Sequence, residues 1–103
     1  MKNKIVLTDF KAGFIKRLKE NPKELREYKK YVLSEFEKDQ NKELLLEGLK
    51  TIAMATEGMS KLAEKTCMSR RNLYKILAKE GNPTLNTFFE IIKTLDMKLK
   101  IAG

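Results

Sequence analysis

Histidine and tryptophan are both missing from this 103-residue chain, and cysteine occurs once. Without histidine the commonest general acid–base is gone, and with it any zinc site that needs an imidazole ligand. The lone Cys67 has no partner for an internal disulfide, which suits a reducing compartment. No run approaches the ~18 apolar residues that a bilayer crossing requires, so no membrane partner is expected. The opening residues 1–9 are basic but carry neither an apolar signal stretch nor a cleavage site, and a cytoplasmic location is expected. There is no glycine-rich phosphate loop. The carboxylates are scattered among lysines at helical spacing, where a solvated, ion-paired face is the usual arrangement. The expectation is a binding protein with no cofactor and no metal, not an enzyme.

What the chain has in excess is positive charge. Lys and Arg number 22 against 14 Asp and Glu, for a net charge of +8 and a pI near 9.6. The excess concentrates in residues 59–79, where Lys61, Lys65, Arg70, Arg71, Lys75 and Lys79 face a single acid, Glu64. A cationic face favours a polyanion, because neutralised phosphates release condensed counterions. A merely solvated basic surface is the alternative that charge alone leaves open. Hydrophobic content of 42% is enough for a modest single core.

Apolar residues recur at helical spacing along most of the chain. Residues 9–20 read as a helix with Asp9 as N-cap and Phe10, Phe14, Ile15 and Leu18 on one face. Asn21-Pro22-Lys23-Glu24 then looks like a fresh start: Asn21 as cap, Pro22 in the first position, Glu24 where a capping box places its acid. Leu25, Tyr28, Val32 and Phe36 continue as the next stripe to about Lys38, and Asp39-Gln40-Asn41 breaks it. A third helix, about 42–56, buries Leu45, Leu49, Ile52 and Ala53, with Gly58 able to stop it in the left-handed conformation. The aromatics Phe10, Phe14, Tyr28, Tyr31 and Phe36 are read as core, with a partner interface as the alternative. Shorter elements follow: a helix at 60–66, a turn at 67–68, a helix at 70–79, a loop at 80–83 and a helix at 85–95. Ser69 and Thr84 are natural N-caps, and Gly81-Asn82-Pro83 is a turn. Lys98-Leu99-Lys100-Ile101 alternates polar and apolar, as a short edge strand does.

The stretch from Met59 to Lys79 meets three requirements of a helix-turn-helix. Ala63 beside Leu62 offers a small residue where a second helix can cross. Met68 supplies an apolar plug for a tight turn. Leu73, Ile76 and Leu77 anchor the second helix inward, so Arg70, Arg71, Asn72, Tyr74 and Lys75 face outward. Those outward types suit a major-groove reader: Arg can pair with guanine in bidentate fashion, and Asn with adenine. Lys and Tyr can reach phosphates or base edges. Ser69 begins the reader. Helix N-termini hold phosphates through free N–H groups, which nominates Ser60 and Lys61 on the preceding helix and Thr84 and Asn86 on the following one. Plain helix capping is the alternative reading of those four, and an exposed basic helix that touches nothing is the alternative for the reader.

Gly58-Met-Ser-Lys-Leu-Ala-Glu-Lys-Thr, Ser69-Arg, Leu73-Tyr-Lys, Gly81-Asn-Pro-Thr-Leu and Lys98-Leu-Lys-Ile resemble the addiction-module antidote family, HigA-like antitoxins with a Cro/C1-type helix-turn-helix. The resemblance runs from about Leu44 to Ile101, and more loosely back to Thr8-Asp9-Phe10. It implies an all-α fold of five to six helices with a lambda-repressor-like helix-turn-helix and an optional short C-terminal strand. Residues 1–41 would form an N-terminal helical extension and residues 42–103 the DNA-binding domain. It also implies a cognate RelE/ParE-like toxin as partner, autorepression of the shared operon, and a homodimer on palindromic double-stranded operator DNA. Two departures from the family pattern stand out, Cys67 and Asp96, each where glycine is usual. A third is Arg71-Asn72 in place of a Glu-Ser-like pair, so the family's operator sequences do not transfer. A stand-alone transcriptional repressor and a helical protein-interaction module are the other functions compatible with these residues.

Overall fold

The computed structural model describes residues 2–78 and 80–98 of the chain, with side chains from residue 10 onward. Six helices account for almost all of it: α1 Lys2–Glu20, α2 Pro22–Asp39, α3 Lys42–Ala55, α4 Met59–Lys65, α5 Arg70–Ile76 and α6 Leu85–Thr94. Among the described residues there is no strand. The strand expected at 98–101 lies, apart from Lys98, outside them.

α3 is the central element, because its sequence is apolar around most of its circumference. Leu45, Leu46, Leu49, Ile52 and Ala53 are all buried, and the helix packs against α1, α2 and α4. Asn41 starts it, its side chain accepting the Leu44 N–H at 3.2 Å. Gly48 allows α2 to come close: a Cβ there would sit 2.8 Å from both Val32 methyls. Val32 and Leu33 of α2 thereby join the same hydrophobic cluster as Leu73 and Leu77 of α5 and Ile91 and Ile92 of α6. α4 in turn packs on α5 and α6.

Several local signals at the N-terminal end are overridden. The first helix begins at Lys2, so Asp9 lies inside α1 and not at the N-cap position. Asn21 occupies the N-cap position of α2, yet its side chain makes no cap bond and donates instead to the Arg17 carbonyl at 2.8 Å. Glu24 closes no capping box, because Arg17 takes both of its oxygens at 2.9 and 2.8 Å. The aromatic residues divide as well. Phe14 meets Tyr28 edge-on at 5.2 Å and both are half-buried, as is Phe36, but Phe10 is 77% and Tyr31 58% exposed. Two helices laid on α3 do not have enough inward positions for the whole aromatic set.

Gly58 has a positive φ of 91° with ψ of 166°, outside the left-handed helical region; Thr56 ends α3, and Gly58 instead serves as the N-cap of α4. Its N–H still returns to the Ala53 carbonyl at 2.9 Å, closing the helix end.

Candidate nucleic-acid interface

Two seven-residue helices, α4 and α5, are joined by the four residues Thr66–Ser69. So short a connection holds only if the end of α4 satisfies its own carbonyls. It does so with a Schellman motif: Cys67 donates to the Glu64 carbonyl at 3.2 Å and Met68 to the Ala63 carbonyl at 2.9 Å. The motif needs a left-handed residue at its bend, and Cys67 takes that role at φ 57°. Met68 then packs partly buried against the core, and Ala63 is buried, as a plug and a small crossing residue should be.

Ser69 starts α5, its hydroxyl accepting the Asn72 N–H at 3.0 Å. Leu73 is fully buried and Leu77 nearly so, which fixes the rotation of α5. With those two inward, Arg70, Arg71, Asn72 and Lys75 fall on the exposed side. Among the described residues, none of the three cations there is in an ion pair, whereas Lys61 pairs with Glu64 at 3.8 Å and Lys65 with Glu57. The uncompensated charge of the region is therefore concentrated on α5.

Tyr74 departs from the outward set. It is half-buried and packs against the core cluster, because its position one residue after Leu73 and three before Leu77 turns it toward α3. There the Lys50 Nζ stands 5.7 Å from its ring centroid, and the Arg70 Cζ 5.6 Å. Lys50 is a residue that the sequence pattern did not single out, and only the core that α3 and α5 share brings it to this place.

α5 is shorter than the expected 70–79. Its last helical residue is Ile76, and the chain then tightens, with Ala78 donating to Lys75 at 3.3 Å and Gly81 to Ala78 at 2.8 Å. Gly81 folds back onto the helix end so closely that a Cβ would lie 2.0 Å from the Ile76 carbonyl oxygen. Lys79 lies outside the described residues.

The flanking positions are exposed. Ser60 and Lys61 sit in the first turn of α4, and Asn86 in the first turn of α6. The Thr84 hydroxyl is already engaged: it accepts the Thr87 N–H at 3.1 Å and donates to the Thr87 hydroxyl at 3.0 Å. Among the described residues there is no group of acidic or cysteine side chains able to hold a metal ion.

A family model described as "probable addiction module antidote protein" matches residues 13–103. An uncharacterized protein of Haemophilus influenzae is 38% identical over 69 residues, which is 67% of this chain and 70% of that protein. No solved structure gives a significant match.

Proposed function

The chain belongs to the family of probable addiction module antidote proteins, and from that premise we propose that it neutralises a cognate protein toxin and represses the operon encoding both. Repression works by reversible occlusion of the promoter, with α5 inserted in the DNA major groove as the second helix of a helix-turn-helix. The single observation supporting this is the polarity of α5: Leu73 and Leu77 are buried while Arg70, Arg71, Asn72 and Lys75 stand exposed, with no carboxylate ion-paired to their cations among the described residues.

In this reading Arg70 and Arg71 are the candidates for bidentate bonds to guanine and Asn72 for adenine. Lys75 and the N-terminal turns around Ser60, Lys61, Thr84 and Asn86 meet phosphates, which fix register without carrying sequence information. Ser69 holds the helix start in place. Tyr74 supports this face through its ring and carries no direct base contact. A homodimer is the natural operator-binding unit, because two reader helices ~34 Å apart meet successive major-groove turns on one side of the duplex. The toxin partner is of the RelE/ParE-like class, encoded beside this chain.

The test has two arms. Binding to the chain's own promoter should fall steeply with salt, and Arg70→Ala with Arg71→Ala should remove about 1–3 kcal/mol per lost bidentate contact. Co-expression with the neighbouring small basic protein should give a stable complex and restore growth. Unchanged promoter binding in the double variant would point to a basic face made for an acidic protein instead.

A further inference from the structure

Beside α5 stands one cation, Lys50, that has no part in the base-reading role just described. Lys50 projects from the middle of α3, half-buried, with its ammonium over the Tyr74 ring, and Arg70 approaches the same ring from α5. The aromatic face attracts both charges and holds them in place. Among the described residues neither cation is in an ion pair. The nearest acid on α3 with a defined partner, Glu47, is already taken by Lys11 of α1. Lys11 feels the local excess: burial first, and the Lys50 charge second, hold its pKa below the usual lysine value. Among the described residues no carboxylate is ion-paired with Lys50, and an external anion completes its site.

We propose that Lys50, seated on the Tyr74 ring, holds a phosphodiester of the DNA backbone at the rim of the groove that α5 enters. This inference rests on the DNA-binding reading of α5. The choice of phosphate over base follows from placement and chemistry. Lys50 belongs to the neighbouring helix rather than to the reader, so it flanks the groove. Its ammonium is a compact point charge without the planar fork that distinguishes bases. A phosphate contact of this kind strengthens binding to every sequence alike.

The experiment measures anisotropy of the full chain on its promoter duplex and on an unrelated duplex of equal length, over a salt series. Lys50→Met keeps the aliphatic stem on the Tyr74 ring and removes the charge; Lys50→Gln is a second neutral variant, and Lys50→Arg restores the cation. Both neutral variants should weaken both duplexes by the same factor, roughly fivefold to tenfold at 0.1 M salt, and flatten the log–log salt slope by about 0.9. Lys50→Arg should recover the slope. A wild-type slope in folded Lys50→Met and Lys50→Gln on both duplexes would overturn the phosphate site while leaving α5 as the reader. Loss confined to the promoter would also overturn it, since that marks a base contact. Failure of the wild-type chain to bind either duplex would overturn the reading of α5 itself.

Discussion

Three described residues without the freedom of glycine, Gln40, Cys67 and Asp96, sit where glycine is conformationally easiest. Cys67 and Asp96 hold φ of 57° and 55°, each at the bend of a Schellman motif, with Met68 and Met97 donating back to Ala63 and Ile92. A Cβ in the left-handed region costs about 1–2 kcal/mol, less for Asp, whose short polar side chain visits it more readily. Cys67→Gly should therefore raise stability by about 1 kcal/mol, a rise in Tm of roughly 4–8 °C for a domain of this size, with Asp96→Gly gaining less. Thermal melts check this, and a lower Tm for Cys67→Gly would show that the thiol contributes packing that outweighs the strain. Gly81 has the opposite requirement. It is needed for close approach to the Ile76 carbonyl, so Gly81→Ala should cost about 1–3 kcal/mol as an overpacking change. A wild-type Tm would mean that the 77–81 turn adjusts freely.

α5 is too short to be stable alone, so its existence depends on its cap and its anchors. Ser69→Ala should cost about 1 kcal/mol and leave the Asn72 N–H unpaired at the start of α5. Leu73→Ala should cost about 2–5 kcal/mol. Chemical denaturation measures both, and equal losses would mean that burial of Leu73 matters less than its full enclosure indicates. At the α1–α2 junction the Arg17 guanidinium holds the Glu24 carboxyl below its usual pKa by direct hydrogen bonds. Since the folded pKa is depressed, this contribution is present above the ordinary carboxylate pKa and is lost as pH falls through the folded value. Arg17→Ala should flatten that part of an acid titration of stability, and an unaltered profile would contradict it.

These elements also show what a linear pattern can and cannot reveal. The apolar phase of residues 70–77, together with the caps Ser69 and Thr84, was enough to locate α5 and α6 and to turn Arg70, Arg71, Asn72 and Lys75 outward. Helical periodicity is a local property that tertiary packing rarely reverses. Asp9, Asn21 and Glu24 misled because each is a plausible cap by type, while α1 simply continues through Asp9 and Arg17 competes for Glu24. Tyr74 and Lys50 were out of reach for a different reason. Their proximity joins two helices 24 positions apart in the chain, and no spacing rule within one helix encodes it.

Across the whole molecule, an all-helical body with one continuous core carries a net charge of +8, and three exposed cations of α5, Arg70, Arg71 and Lys75, stand outside any ion pair among the described residues. The first two helices add to that core through Leu18, Val32 and Leu33 and leave Phe10 and Tyr31 exposed. The proposed homodimer predicts an operator with two half-sites spaced by about one helical turn, and sedimentation of the chain with promoter DNA should give two chains per duplex. One chain per duplex would remove the dimer. The most direct measurement is an amide chemical-shift titration of the full chain with its promoter duplex. The largest changes should fall on Ser69, Arg70, Arg71, Asn72 and Lys75, with a smaller set at Lys50 and the starts of α4 and α6. Changes confined to α1 and α2, with α5 unmoved at saturating DNA, would contradict the proposed role of α5.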